Sequence, residues 1–280
     1  MTTSPHPATI DTYALGSNAH EHARLQRQAD VFRPFTTQLL RNAGLVPGMR
    51  VLDIGCGPGD VSLIAADLVS PGGSVVAIDR DPAVLERARA RCAEQGATAI
   101  EFIQAELQNL PPLGQFDALV GRLVLMYLPD PAGTLRELTG HVRPGGIIAF
   151  QEIELSSPVS YPEQPLYTAL FRWLEAAFRA AGADPVMGLK LYATFRTAGL
   201  PEPELETVRI LGGGSDAAVY AQGAMVVRSL LPVILAHGIA TADEVGIDTL
   251  EERLRAEAVA GGGVVSMPMH VGARTRLTGE

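Results

Sequence analysis

One short segment decides the fold of this chain: Val51-Leu52-Asp53-Ile54-Gly55-Cys56-Gly57-Pro58-Gly59-Asp60. An apolar run ends in an acid, glycines alternate with single residues, and an amphipathic stretch then covers residues 61–69. This order predicts a strand, a tight turn and a helix. Glycine adopts backbone angles that other residues avoid and lets a ligand approach the main chain, so the turn is expected to contact a ligand.

The spacing of these glycines separates two nucleotide ligands. A dinucleotide site has the pattern G-x-G-x-x-G and faces a pyrophosphate. Here the pattern is G-x-G-x-G, and Asp53 lies two residues before the first glycine. A carboxylate at the strand end repels a pyrophosphate and attracts an amino group. The segment therefore favours S-adenosylmethionine, which carries an ammonium and a sulfonium and no phosphate.

A second acid ends the next predicted strand, residues 74–79. Asp79 follows Gly59 by 20 residues. A carboxylate at this position accepts hydrogen bonds from both ribose hydroxyls of a bound nucleoside. Dinucleotide and S-adenosylmethionine sites both use such an acid, so Asp79 predicts a nucleoside without distinguishing between them.

Three separate motifs carry a resemblance to a known family. Residues 51–60, residues 76–81 and the later Arg143-Pro144-Gly145-Gly146 resemble the motifs of class I S-adenosylmethionine-dependent methyltransferases. The nearest group is the small-molecule type that includes the ubiquinone and menaquinone biosynthesis methyltransferases. The resemblance spans residues 45–155 and implies an α/β fold. That fold is a Rossmann-like, doubly wound sheet of seven strands, mostly parallel with the last strand antiparallel.

The same resemblance implies an activity. The expected reaction is methylation of oxygen, nitrogen or carbon in a small-molecule metabolite, in secondary metabolism, with S-adenosylmethionine as cofactor and S-adenosyl-L-homocysteine as product. Two alternatives stay open. One is an S-adenosylmethionine-binding protein that catalyses a non-methylating reaction. The other is a nicotinamide-dependent oxidoreductase, which the glycine spacing disfavours.

Composition excludes several function classes. The chain has 280 residues and a net charge of −9, and its Lys and Arg residues form no basic run, which argues against a nucleic-acid partner. The two cysteines, Cys56 and Cys92, predict neither a disulfide framework nor a metal site. No apolar stretch is expected to reach the roughly 18 residues that a helix needs to span a bilayer. The N-terminus lacks the charged and apolar segments of a signal peptide. A cytoplasmic protein without a membrane partner is therefore expected, and a homodimer is possible.

The N-terminal residues 1–44 are predicted to form a helical cap. Asn18 and Glu21 resemble a capping box that opens a helix to residue 32, and Pro34 begins a second helix that ends at Gly44. In the related quinone-type methyltransferases an N-terminal Tyr and neighbouring polar groups enclose the methionine end of the cofactor. This resemblance makes Tyr13 and Gln28 candidates, and a surface or packing role is the equal alternative.

Further cofactor contacts are expected along the strand ends. In the glycine turn and at the second strand these are Gly55, Cys56, Gly57, Gly59 and, beside Asp79, Arg80. The resemblance assigns the loop with Glu106 and Leu107 to the adenine, although the family commonly has Asp at the position of Glu106. An exposed loop acid is the alternative.

Two further candidates end the fourth predicted strand, residues 116–121. Ligands of open α/β sheets bind outside the carboxyl ends of the strands, so Gly121 and Arg122 are expected to face cofactor or substrate. Arg122 is predicted either to clamp a carboxylate or to form a structural salt bridge.

Catalytic candidates come from the fifth strand and the C-terminal part. Glu152 and Glu154 share one face at the carboxyl end of predicted strand 145–154, and Glu152 is the first choice for a general base. A rim charge or a helix-positioning role is the alternative. His270 and His237 are weaker candidates, each more often a packed or surface histidine.

The segment 215–260 is predicted to be a helical insertion before the last strand, within a methyltransferase domain of residues 45–280. We expect it to act as a lid over an apolar substrate; a packing appendage or dimer surface is the alternative. The expected lid lining is Met225, Leu230, Leu231 and Ile234. Strands are predicted at 205–211 and 264–273, and Pro268 predicts an edge or bulge position for the latter.

Overall fold

The computed structural model describes residues 19–279, with side chains described from residue 31 onward. Ten strands occur in this range. They are β1 (Arg50–Ile54), β2 (Ser74–Asp79), β3 (Ile100–Gln104), β4 (Phe116–Arg122), β5 (Val142–Glu154), β6 (Ser160–Tyr161), β7 (Glu204–Val208), β8 (Leu211–Gly213), β9 (Val264–Ser266) and β10 (Met269–Arg276). Seven form one sheet in the order β3-β2-β1-β4-β5-β10-β7. Since β10 runs antiparallel to both β5 and β7 and the other pairs are parallel, the predicted fold class is confirmed.

Helices cover both faces of this sheet. They are α1 (Ala19–Ala43), α2 (Asp60–Val69), α3 (Pro82–Glu94), α4 (Pro131–Thr139), α5 (Pro165–Ala180), α6 (Met187–Thr197), α7 (Ala218–Ala236), α8 (Ala242–Val245) and α9 (Leu250–Ala260). Val51 and Val120 pack in one core cluster with residues of α1 and α2, whereas their neighbours Leu52 and Leu119 pack with residues of α4 and α6. Side chains alternate along a strand, so a sheet with apolar residues at every position is buried on both faces.

The N-terminal region is a single helix, and the prediction of two helices was wrong. Pro34 lies inside α1 and lacks the N–H that an interior helical residue normally donates. Phe32 and Leu39 are buried on either side of it, at 3% and 1% exposure. Leu39 also packs where Gly272 of β10 leaves room. Packing on both sides of Pro34 holds the helix in one piece despite the lost hydrogen bond.

The C-terminal strands differ from the prediction at Pro268. The predicted strand 264–273 is two strands in different sheets, because β9 pairs with β6 and β8 while β10 lies between β5 and β7. Pro268 lies in the connection between them, so the expected edge or bulge position was wrong. The predicted strand 205–211 likewise ends at Val208, and Leu211 starts the separate strand β8.

The predicted helical insertion is confirmed as α7, α8 and α9. The expectation that no apolar stretch reaches membrane-spanning length was wrong. Helix α7 is long and apolar enough to cross a bilayer, by length and composition only. Its buried residues, which include Val227 and Leu230 at 0% exposure, belong to the main core cluster. A helix with a core-packed face is a common origin of such an apolar stretch in a globular domain.

Candidate active site at the carboxyl edge of the sheet

The glycine turn has the backbone that its sequence predicts. Gly55, Gly57 and Gly59 have φ angles of 59°, 52° and 84°, all in the left-handed region. A Cβ added to Gly55 would lie 2.5 Å from Cγ2 of Val124, whereas one added to Gly57 would meet nothing within 4 Å. Gly55 therefore lets the turn approach the segment after β4. Gly57 leaves open space above the main chain, as a cradle for a ligand requires.

Asp53, the residue before the last of β1, has one carboxylate oxygen unpaired. Its Oδ2 accepts a hydrogen bond from Oγ of Ser62 at 2.5 Å. Its Oδ1 is buried and has no hydrogen-bond partner among the described residues. Burial raises the pKa of Asp53 to about 7, against the lowering effects of Ser62 and Arg122. A buried acceptor without a donor is rare in proteins, and a ligand ammonium would supply the missing one.

Asp79 ends the neighbouring strand and joins it to the turn. Its Oδ2 accepts a hydrogen bond from the backbone N–H of Gly57 at 2.9 Å. Its Oδ1 accepts another from the N–H of Asp81 at 3.0 Å. The structure thus brings the predicted residues Asp53, Gly57 and Asp79 together at the carboxyl ends of two adjacent parallel strands.

The remaining predicted cofactor residues differ in their surroundings. Cys56 is buried, and burial raises the pKa of its thiol, so it stays a neutral thiol. Arg80 and Glu106 are exposed, and Leu107 is partly buried against the main core cluster. Gln28 lies in α1 at a position whose side chain is not described, and Tyr13 lies outside the described residues.

Arg122 belongs to a buried ion-pair cluster at the end of β4. Its NH2 group lies 3.3 Å from Oδ2 of Asp60, and its side chain is 10% exposed. Asp60, the first residue of α2, also pairs with Arg91. Gly121 precedes Arg122 and has no room for a side chain, since an added Cβ would lie 2.7 Å from the ring of Phe150. Of the two predicted roles for Arg122, the structure shows the salt bridge.

An apolar cavity lies beside this cluster, at the carboxyl ends of β4 and β5. The space between its walls is about 770 Å³, open solvent included. The lining is formed by Phe32, Leu123, Met126, Tyr127, Ile153, Leu155, Tyr167, Leu170, Phe171, Leu174, Phe178, Val219, Gln222, Gly223, Val226, Ser266, Met267, Pro268 and His270.

Helix α7 contributes a different face to this cavity than the sequence predicted. Its lining residues are Val219, Gln222, Gly223 and Val226, which recur at helical spacing. The predicted lining residues Met225, Leu230, Leu231 and Ile234 are absent from this cavity's walls. Leu230 and Ile234 are fully buried in the main core instead, because the helix is rotated to place them there.

Leu123 connects the ion-pair cluster with the cavity. It directly follows Arg122, lines the cavity, and donates its N–H to the carbonyl oxygen of Gln151 at 2.9 Å. Its φ angle is 55°, the one positive value among the described non-glycine residues. A left-handed Leu costs roughly 1–3 kcal/mol and persists only where its surroundings impose it. Such backbone strain is common at functional sites.

Of the catalytic candidates, Glu152 and His270 lie on opposite faces of the sheet. His270 lines the cavity, and its Nδ1 lies 2.9 Å from Nε2 of Gln151. Glu152 does not line the cavity. Its Oε1 accepts hydrogen bonds from the backbone N–H groups of Val124 at 3.0 Å and Leu125 at 2.8 Å. Burial raises the pKa of Glu152 to about 8. Glu152 is thus positioned to hold the 3₁₀ turn at Leu125–Tyr127.

Sequence reasoning missed four polar residues of this region: Thr36, Asp60, Ser62 and Gln151. Asp60 and Ser62 follow the glycine turn directly, so their position in the first turn of α2 was an available signal. Gln151 adjoins Glu152, and strand alternation places it on the face that Glu152 does not occupy. Thr36 carried no local signal. No group of three or more possible metal-ligating side chains occurs among the described residues.

Comparison with known proteins identifies the family. Residues 45–185, about half of the chain, match the family described as "Methyltransferase domain". An uncharacterised protein of Mycobacterium tuberculosis is 38% identical over 120 residues, which are 42% of this chain and 42% of that protein. The matched part thus spans less than half the length of that relative. A demethylmenaquinone methyltransferase of Lactococcus lactis is 28% identical over 211 residues, 70% of this chain and 80% of that enzyme.

A solved structure from Bacillus halodurans shares the fold. Its TM-score is 0.59 at 17% sequence identity, over 87% of this chain and 98% of that chain. This likeness supports the architecture of the sheet and helices. The family match confirms the methyltransferase family predicted from residues 51–60 and their neighbours.

Proposed function

Because the chain belongs to the methyltransferase-domain family, we propose that it transfers a methyl group from S-adenosylmethionine to a small molecule. One observation carries the proposal: the unpaired Oδ1 of Asp53 and the open space at Gly57 lie at the same sheet edge as a mainly apolar cavity. A cationic nucleoside fits the first feature, and an apolar acceptor fits the second. The cofactor supplies an electrophilic methyl group on a sulfonium.

Different residues would bind different parts of the cofactor. Asp53 would pair with the ammonium, Asp79 would accept the ribose hydroxyls, and Gly57 would let the cofactor approach the main chain. Glu106 and Leu107 would contact the adenine, and Gly121 would let Phe150 pack closely against the end of β4. The protein's contribution to the reaction is to hold the acceptor in line with the methyl group and to exclude water.

The acceptor we propose is an apolar, ring-containing metabolite that is methylated on oxygen, nitrogen or carbon. The cavity has aromatic and aliphatic walls, contributed in part by α5 and α7. The similarity to a demethylmenaquinone methyltransferase supports a substrate of this kind. We extend the proposal to secondary metabolism in the cytoplasm. The buried free cysteines Cys56 and Cys92 suit a reducing compartment.

We propose a domain organisation that matches this function. We keep residues 1–44 as an N-terminal helical cap and residues 45–280 as the methyltransferase domain, with 215–260 as the lid. Val219 and Val226 of α7 line the cavity, which supports the lid.

Two measurements test the proposal on the full chain. Calorimetry should detect binding of S-adenosyl-L-homocysteine and no binding of NAD⁺. Mass spectrometry of a quinol panel incubated with S-adenosylmethionine should find a product heavier by one methyl group. Binding of NAD⁺ without binding of the adenosyl compound would overturn the proposal. A product isomerised without a mass change would instead identify the non-methylating alternative.

A further inference from the structure

A chain of buried hydrogen bonds runs from the ion pair of Asp60 and Arg122 to the cavity wall. Arg122 donates from NH1 to Oγ1 of Thr36 at 3.1 Å. The Thr36 hydroxyl lies 2.7 Å from Oε1 of Gln151, and Nε2 of Gln151 lies 2.9 Å from Nδ1 of His270. Thr36, Gln151 and His270 are only 2%, 1% and 1% exposed, so water does not compete for these bonds.

The direction of this chain is set at its charged end. A guanidinium has only donors, so Thr36 accepts from Arg122 and offers its single proton elsewhere. Two acceptors are in reach: Oε1 of Gln151 at 2.7 Å and the carbonyl oxygen of Phe32 at 3.1 Å. The shorter contact goes to Gln151. The amide oxygen of Gln151 then faces Thr36, and its NH₂ group donates to His270.

This direction determines the tautomer of His270. Since Nδ1 accepts a hydrogen bond from Gln151, the proton of the neutral ring resides on Nε2. His270 lines the cavity, and no partner of Nε2 occurs among the side chains from residue 31 onward. The ring of Phe32, with its centroid 3.7 Å away, packs against the imidazole. His270 therefore has an N–H donor that its partners at Nδ1 leave available, in a residue that lines a mainly apolar cavity.

Electrostatics keep this imidazole neutral. Burial, and to a smaller extent the positive charge of Arg122, lower the pKa of His270 to about 3. A neutral imidazole with its proton on Nε2 offers the cavity no lone pair on that nitrogen, so it does not take a proton from a molecule there. It can stabilise negative charge on an oxygen by a hydrogen bond without carrying a charge itself.

We propose that His270 donates from Nε2–H to the oxygen of a phenol- or enol-type acceptor, which binds in the cavity as its oxyanion. This assignment rests on the proposed function. The acceptor's proton leaves to water on binding. The oxyanion then forms the new O–CH₃ bond, or a C–CH₃ bond at the conjugated carbon, and the sulfur keeps the electron pair of its broken bond to the methyl group. Arg122, Thr36 and Gln151 act as positioning residues.

The first test reads the tautomer directly, without a methyl acceptor. The full chain is labelled with ¹⁵N-histidine, and the His270 signal is assigned by its loss in His270→Phe. His237→Gln serves as the matched control, because His237 is exposed at the end of α7. We expect a neutral ring protonated on Nε2. A ring protonated on Nδ1 would overturn the proposal, since His270 would then present a lone pair and act as a base.

Variants of the hydrogen-bond chain extend this test. Gln151→Glu places an acceptor opposite Nδ1, so the proton should move to Nδ1. Thr36→Val keeps the side-chain shape and removes the hydroxyl that orients Gln151, so the ring should populate both tautomers. An unchanged His270 signal in both folded variants would overturn the proposed direction.

The second test uses 4-nitrophenol, whose phenolate form absorbs visible light. With S-adenosyl-L-homocysteine present, the bound probe should ionise at a lower pH than in solution. His270→Phe should abolish this shift and weaken binding about tenfold to hundredfold, as expected for losing a hydrogen bond to a charged acceptor. His270→Gln, which keeps an N–H donor, should restore part of both. Binding as the neutral phenol, equal binding to wild type and His270→Phe, or no saturable binding would overturn the proposal.

Failure of this inference is distinguishable from failure of the proposed function. If the tautomer and the probe behave as expected while calorimetry detects no binding of S-adenosyl-L-homocysteine, only the methyltransferase function fails. If the cofactor binds and a methylated product forms while the probe stays a neutral phenol, only the role of His270 fails.

Discussion

Asp79 accepts a hydrogen bond at 2.9 Å from the backbone N–H of Gly57, which ties the end of β2 to the glycine turn after β1. The same carboxylate holds the N–H of Asp81 at the start of α3. One acid thus fixes both the glycine turn, which a bound nucleoside would contact, and the start of α3. Its position depends on the parallel pairing of β1 and β2, in which Ile54 lies opposite Ile78.

We predict that Asp79→Ala weakens binding of S-adenosyl-L-homocysteine. The variant loses ribose hydrogen bonds to a charged acceptor, worth about 1.5–3 kcal/mol, and releases the turn as well. Calorimetry on the purified chain measures the change. Asp81→Ala is the matched control: it removes the N-cap of α3, at a cost of about 1 kcal/mol in stability, and should leave the affinity unchanged. Equal affinity of wild type and Asp79→Ala would contradict the assignment.

Gly57→Ala offers a second test, of the open space above the turn. Gly57 and Gly96 both have left-handed φ angles, 52° and 68°, and both would place an added Cβ in open space. Alanine at either position costs about 1–2 kcal/mol of backbone strain. Only at Gly57 does the methyl group occupy the space proposed for the cofactor. Gly57→Ala should therefore lose cofactor affinity by tenfold or more. Its melting temperature should be similar to that of Gly96→Ala. An equal loss of affinity in both variants would contradict the proposal that the cofactor occupies the space above Gly57.

Asp53 should make cofactor affinity depend on pH. With a pKa of about 7 in the free protein, Asp53 is partly protonated near neutral pH. A ligand ammonium favours the ionised form, so binding releases a proton below pH 7. Affinity should then rise with pH up to about 7, with a limiting slope of about tenfold per pH unit well below the pKa, and level off until the ligand ammonium loses its proton near pH 8. Calorimetry in buffers of different ionisation enthalpy measures the released proton.

Asp53→Asn provides the control for this dependence. The amide keeps an oxygen that accepts from Ser62 but does not titrate, so its affinity curve should lack the Asp53 component. The ligand's own α-amino group titrates near pH 8 in both proteins and cancels in the comparison. Parallel curves for wild type and variant would show that Asp53 does not exchange a proton with the bound state.

The local parts of the site were predictable because local chemistry determines them. The glycine turn and the acids at the carboxyl ends of β1 and β2, Asp53 and Asp79, each follow from residues within a few positions of one another. A run of alternating glycines predicts a turn with positive φ angles, and an acid after an apolar run predicts a strand end; both predictions depend only on neighbouring residues.

The hydrogen-bond chain to His270 could not be predicted, because its members are far apart in sequence. Thr36 and Gln151 are separated by 115 positions, and Gln151 and His270 by 119. Their contact depends on α1 continuing through Pro34 and on β10 inserting between β5 and β7. Both features contradict local rules for proline and strand order, and tertiary packing overrides those rules.

Helix α7 shows a related limit. Its apolar residues surround much of the helix, so hydrophobicity alone does not reveal which face meets the cavity. Gln222 and Gly223 mark that face, and neither is apolar enough to be read as pocket lining. The rotation of the helix is set by packing against α1, α5 and α9, which a sequence pattern does not contain.

Glu152 gives the last prediction, which separates a structural acid from a catalytic base. Its pKa of about 8 in the folded chain exceeds the ordinary value of 4.5, so the folded state retains a proton that the unfolded state releases between these pH values. The free energy of unfolding should therefore fall as pH rises from 4.5 to 8, by up to about 1.4 kcal/mol per pH unit from this group.

Glu152→Gln keeps the oxygen that accepts from Val124 and Leu125, so its urea-unfolding stability should vary less with pH. It should also retain methyl transfer, which a general base at this position would not allow. Glu152→Leu leaves both N–H groups unpaired and should lose about 1–3 kcal/mol for each.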